Sequence, residues 1–102
     1  MIVTDGGVVP SPEIENVISL HPAVSEVAVI GVPHKELGEL IKAFVSLKRG
    51  ERATEQDIIE WCSTKLEGYK VPKSVNFIDS LPKTASGKVQ KTALKDAGGL
   101  RG

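Results

Sequence analysis

The sequence predicts an α+β domain: a small mixed three-stranded sheet with helices packed on it. Three observations carry this. Two runs rich in Val and Ile, at residues 24–32 and 40–48, read as neighbouring strands. Stretches that follow Ser11-Pro12 and Thr54 repeat their apolar residues at helical spacing. The chain has 102 residues, 40% hydrophobic and 25% charged, enough for one core without disulfide or metal staples.

Each element has a local cause. Residues 1–4 are β-prone, and Asp5-Gly6-Gly7 ends them in a tight turn, because glycine accepts positive φ. Ser11 then Pro12 marks a helix start, with serine as the cap and proline at the first helical position. Glu13 and Glu15 suit the positive end of that helix, and Ile14, Val17 and Ile18 give it one buried face. His21-Pro22 stops it, since a residue before proline is pushed out of the α region. The strand at 24–32 ends at Gly31-Val32-Pro33. In the next, Ile41, Ala43, Val45 and Leu47 share one face and Lys42, Ser46 and Lys48 the other, with Phe44 as the apolar exception. The two pair antiparallel through the loop at 33–39.

Arg49-Gly50-Glu51 is a turn, and Thr54 with Asp57 matches a capping box in its aspartate form. Ile58, Ile59, Cys62 and Leu66 form the stripe of a second helix, with Gly68 as its expected stop. Residues 74–78 read as a third strand, 79–87 as a loop, and 92–97 as a short last helix. The domain is expected to occupy 1–97, with 98–102 a frayed tail.

Composition excludes several functions. Thirteen basic residues balance thirteen acidic ones, and only 4% of residues are aromatic. Neither a polyanion-binding charge excess nor a base-stacking platform is available, so no nucleic-acid partner is expected. The balance hides an asymmetry: residues 1–64 carry five basic and ten acidic side chains, residues 65–102 eight and three. A polyanionic ligand such as a nucleotide would favour the second half. The lone Cys62 forbids an internal disulfide and fits a reducing compartment, so a cytoplasmic protein without a membrane span is expected. His21, His34 and Cys62 sit on separate elements without ligand spacing, so no metal site is expected, and Cys62 reads as a core thiol. No nucleophile elbow and no phosphate-binding glycine loop is present. The one chemically odd stretch is Pro82-Lys83-Thr84-Ala85-Ser86-Gly87-Lys88, a polar loop in which a lysine follows a glycine. Such a lysine is a mobile point charge able to reach a phosphate or carboxylate.

That loop, with Leu81 before it and Val89 after it, resembles the signature loop of the adenylate-forming enzymes: acyl-CoA synthetases, peptide-synthetase adenylation domains and luciferases. The resemblance is to their small C-terminal domain and runs to about Lys95. In family order come the strand and glycine turn through Gly6-Gly7, then Pro12-Glu13-Ile14-Glu15, His21-Pro22-Ala23-Val24 and the strand that ends at Gly31-Val32-Pro33. Gly38-Glu39, Ala43-Phe44-Val45 and Tyr69-Lys70-Val71-Pro72 follow. Seven matches in order and spacing are specific where one would be weak. Two departures stand out: Val8-Val9 replace a polar pair, and Gln90-Lys91 stand where many members have arginine.

The resemblance implies a division of labour. A large N-terminal adenylation domain binds ATP, with its Mg²⁺, and a carboxylic acid of the fatty or a related class. This domain closes over it and supplies the adenylation lysine, Lys88, from a loop that Ser86 and Gly87 allow to thread into the site. It then rotates, so that CoA attacks the adenylate through a pantetheine channel lined by Gly6 and Gly7. Since Met1 matches an internal position of the family, the chain is expected to be an excised domain, inactive alone. The alternatives are a peptide-synthetase adenylation fragment and a freestanding, non-catalytic binding or regulatory module.

Overall fold

A computed structural model of the chain describes residues 2–36 and 38–94. The expected tail at 98–102 and the end of the expected last helix, 95–97, lie outside the described residues. In chain order the elements are β1 (Ile2–Thr4), β2 (Gly7–Val9), α1 (Ser11–Ser19), β3 (Val24–His34), β4 (Gly38–Leu47), α2 (Glu55–Ser63), a 3₁₀ turn (Gly68–Lys70), β5 (Ser74–Phe77) and α3 (Lys91–Leu94).

The α+β class stands, but the sheet has five strands, not three. The two Val/Ile-rich runs pair antiparallel as expected, from Val24 opposite Leu47 to His34 opposite Gly38. β5 adds parallel to β4, placing Lys42 opposite Ser74 and Val45 opposite Phe77. The additional strands are the β-prone opening residues and a second strand that starts at Gly7, a residue expected in the turn. They form a hairpin with Ile2 opposite Val9 and join β4 through Thr4 and Gly38. Three-residue strands are too short for alternation to register in a sequence.

The sheet is buried on both faces. On one, Ile41, Ala43 and Val45 of β4 and Val29 of β3 pack with Ile14 and Ile18 of α1 and Ile58 and Cys62 of α2. Each fully buried Ile there contributes about 1.5–3 kcal/mol. On the other, Phe44 packs with Ala28 and Ile30, and Leu81 and Leu94 close over them. The Phe44 exception is therefore a second core, which holds the segment from Leu81 to Leu94 against the sheet. Ser46, the buried polar residue of β4, donates its hydroxyl to the Asp79 carbonyl at 3.0 Å and ties down the start of that segment.

The helix ends repay comparison with expectation. Thr54 and Asp57 make the capping box in full: the Asp57 amide donates to Thr54 Oγ1 at 3.1 Å, and the Thr54 amide to Asp57 Oδ2 at 2.9 Å. α2 stops at Ser63, five residues short of Gly68. The Ser63 and Thr64 hydroxyls donate to the Glu60 and Trp61 carbonyls at 2.8 and 2.9 Å, which offers those acceptors a partner other than the next helical amide. Ser11 is not the cap of α1. Pro10 takes that position without a side-chain bond, and Ser11 is the first helical residue. Its hydroxyl is engaged instead by Lys91, whose Nζ donates to it at 3.0 Å.

Phe44→Ala empties the second core while leaving the helix-covered one intact. It is expected to cost about 3–5 kcal/mol. Hydrogen exchange should show amides of 81–94 losing protection more than those of α1 and α2.

Candidate functional site

Ser86, Gly87 and Lys88 share one tight turn. It is closed by a backbone bridge between Lys83 and Val89, with the Thr84 amide donating to the Lys88 carbonyl at 2.8 Å and the Gly87 amide to the Thr84 carbonyl at 2.9 Å. The Thr84 hydroxyl oxygen accepts the Lys88 amide at 3.2 Å and lies 2.9 Å from Ser86 Oγ. The segment expected to be a polar loop is thus a hydrogen-bonded hairpin. Gly87 sits at φ +89°, a backbone state that L side chains rarely adopt, and nothing lies within 4 Å of where its Cβ would be. Its role here is to turn the chain, and conformation rather than space selects glycine.

Lys88 projects from this hairpin into solvent. Its neighbours in sequence are occupied. Lys83 pairs with Glu26 of β3, and Lys91 pairs with Glu15 of α1 at 2.9 Å. Among the described residues Lys88 makes no ion pair. The Lys88 Nζ carries three donors on a four-carbon stem, suited to bridging two anionic groups.

Gly6 and Gly7 lie elsewhere, in the β1–β2 turn and at the start of β2, and no hydrogen bond or ion pair among the described residues links them to the hairpin. They are glycines for different reasons. Gly7 is at φ +142°. At Gly6 the constraint is space: a Cβ would sit 2.5 Å from Cβ of Tyr69 and 2.8 Å from its Cγ. The room left by the missing side chain is filled by Tyr69 of the same chain, a residue whose part the sequence alone did not disclose. Thr4 completes the turn, donating to the Gly7 carbonyl at 2.8 Å and accepting the Gly6 amide at 3.2 Å. Beside it a cleft of about 20 Å³, room for one water, opens between Asp5, Glu39, Tyr69 and Lys73.

Several other ionisable and aromatic groups are engaged within the domain. Lys70 is held above the usual lysine range, first by its hydrogen bond to Glu13 at 2.9 Å. Cys62 is fully buried, and desolvation raises its thiol to about 11, so it is protonated at neutral pH and a poor nucleophile. The Trp61 indole donates to the Val17 carbonyl at 2.8 Å, with Lys65 Nζ 3.7 Å from its ring centre. Among the described residues no three His, Cys, Asp or Glu side chains gather as a metal site, and no helix is long and apolar enough to cross a membrane.

Fold and hairpin together match a known domain. Residues 13–88 fit the model of the AMP-binding enzyme C-terminal domain, and the chain belongs to that family. It is 49% identical over 98 residues to a protein of Arabidopsis thaliana named probable acyl-activating enzyme 5, peroxisomal, covering 94% of this chain and 18% of that protein. Among solved structures it resembles the Mycobacterium tuberculosis fatty acyl CoA synthetase, at 43% identity and a TM-score of 0.89, covering 97% of this chain and 20% of that one. It also resembles ATP-bound MatB from Rhodopseudomonas palustris, at 39% identity and a TM-score of 0.89, covering 93% and 19%. The chain therefore spans about a fifth of the length of these relatives.

Two outcomes are expected of the residues around the site. Gly6→Ala should destabilise the domain by about 1–3 kcal/mol through the clash with Tyr69, and Tyr69→Ala in the same chain should remove most of that increment, as a double-mutant cycle of unfolding free energies would show. Cys62 titrates higher in the folded chain than its ordinary 9.0, so folding favours the thiol. Its contribution to stability is complete below pH 9 and is lost as pH rises toward about 11. Unfolding measured across that range should steepen in its pH dependence, and Cys62→Ala should remove the part that begins near pH 9.

Proposed function

We propose that this chain is the C-terminal domain of an acyl-CoA ligase, and that Lys88 is its adenylation lysine. Two groups of observations support this: the family with its acyl-activating and acyl-CoA synthetase relatives, and a hydrogen-bonded hairpin that presents one lysine with no ion pair among the described residues. A large N-terminal domain is the partner, with ATP, CoA and a carboxylic acid of the fatty or a related class as substrates. Mg²⁺ is placed with the nucleotide in that partner, as the family resemblance implies. The lone buried thiol suits a reducing compartment such as the cytoplasm.

The chemistry needs what Lys88 offers. A carboxylate oxygen of the acid attacks the α-phosphorus of ATP, the bond from that phosphorus to the pyrophosphate oxygen breaks, and acyl-adenylate forms. Two anions must meet, and negative charge builds on the oxygens around phosphorus. An ammonium placed between carboxylate and phosphate offsets the repulsion and stabilises the transition state. In the second step the CoA sulfur attacks the acyl carbonyl and AMP departs. That step has no use for the lysine, and the domain turns to present the Gly6-Gly7 hairpin to the pantetheine arm. At Gly6 the arm would pass a surface shaped by Tyr69 rather than an open slot. Neither alternative is favoured: two of the relatives above are named as acyl-activating enzyme and acyl-CoA synthetase and none as peptide synthetase, and in them all the matched region is 18–20% of a longer chain.

In the intact ligase, Lys88→Ala is expected to lower acid-dependent ATP–pyrophosphate exchange by about 10²–10³-fold while sparing thioester formation from supplied acyl-adenylate. Equal loss of both half-reactions would make Lys88 a structural residue.

A further inference from the structure

Lys88 can act only if the hairpin that carries it is held in one place, and the structure shows what holds it. Lys91, three residues on and the first of α3, donates to Glu15 Oε2 at 2.9 Å and to Ser11 Oγ at 3.0 Å. The same Glu15 oxygen accepts the Val29 amide of β3 at 2.8 Å. β3 borders the sheet, so this amide faces away from the β4 ladder. A continuous path of charge-assisted bonds therefore runs from the sheet border, through Glu15, to the base of the hairpin. At the opposite end Lys83 pairs with Glu26, also on β3. One stem is thus tied to β3 directly and the residue just beyond the other is tied to it through Glu15, while Lys88 between them makes no ion pair among the described residues.

We propose that Lys91, anchored by Glu15 and Ser11, is the positioning residue of the adenylation hairpin and acts through Lys88. The proposal rests on Lys88 being the adenylation lysine. Stability does not account for the arrangement, because partly exposed ion pairs contribute little to it. Geometry does: Glu15 is immobilised by a backbone amide, so the lysine that meets it is fixed in space rather than merely attracted. A reacting group displaced by about 1 Å can lose 10²-fold in rate, which gives a remote anchor a kinetic effect out of proportion to its energy. Ser11 joins the anchor because it is inside α1 rather than capping it, its hydroxyl turned to Lys91.

The test uses the intact ligase and follows the two half-reactions separately. Lys91→Met is expected to lower ATP–pyrophosphate exchange by about 10- to 100-fold and to leave thioester formation from supplied acyl-adenylate unchanged. Lys91→Arg, which keeps charge and donors, is expected to restore most of the exchange. In a Lys88→Ala background Lys91→Met should subtract nothing further, since the group it positions is gone. Glu15→Gln, which keeps an acceptor for the Val29 amide, provides a second variant should Lys91→Met fail to fold, and the same selective loss is expected of it. Unchanged exchange in Lys91→Met, or a parallel fall of both half-reactions, overturns the positioning role. If Lys88→Ala itself leaves exchange intact, the assignment of Lys88 falls and this proposal with it. If Lys88→Ala abolishes exchange and Lys91→Met does not lower it, only the positioning role falls.

Discussion

A strand buried on both faces must be apolar on both faces, and β4 is such a strand. Ala43 and Val45 face the helices while Phe44 between them faces away, into a pocket of Ala28, Ile30, Leu81 and Leu94. Everything after β5 depends on this. With only one apolar face, the chain beyond Asp79 would have nothing to pack against, and the hairpin that carries Lys88 would hang from a tether. With two, the segment is drawn across the second face and fastened there by Leu81 before the hairpin and Leu94 after it. The ring of Phe44 is thus what turns a polar loop into a mounted one.

Polar contacts then refine a position that apolar packing sets roughly. Glutamates on helices meet amides of strands that border the sheet: Glu15 accepts from Val29 of β3, and Glu55 from Val75 of β5, each at 2.8 Å. Such bonds satisfy amides that would otherwise offer a pairing edge to another chain. In Glu15 the same carboxylate also holds Lys91, so protection of the sheet border and placement of the hairpin share one residue. The function proposed above, two steps served by one mobile domain, asks for a carrier that moves as a unit, with its reactive group at the end of a short flexible stem. The hairpin and its single projecting lysine answer that requirement.

How much of this was legible beforehand follows from the range of each interaction. The capping box of Thr54 and Asp57 spans three residues and was readable, as were the antiparallel pairing of β3 with β4 and the burial of Cys62. Phe44 was visible as a break in alternation, yet its partners Leu81 and Leu94 are dozens of residues away, so its meaning was hidden. Ser11 looked like a cap because Ser-Pro usually is one, yet the helix starts one residue earlier and the Ser11 hydroxyl meets a lysine eighty positions along the chain. The β1–β2 hairpin was half seen: its turn residues were plain, but strands of three residues leave no period to detect. Lys88 stood out through the resemblance of its loop, whereas Glu15, Lys91 and Tyr69 could be given their parts only once the fold had brought distant segments together.

The central claim is that Lys88 touches the reacting atoms in the adenylation state. The most direct measurement is a structure of the intact ligase with a non-hydrolysable mimic of the acyl-adenylate, with this domain closed over the nucleotide. The account predicts the Lys88 ammonium at hydrogen-bonding distance, about 3 Å, from an oxygen of the acyl-phosphate linkage, with the Lys91–Glu15 contact intact behind it. A closed complex in which Lys88 points to solvent and another cation meets that linkage would contradict it.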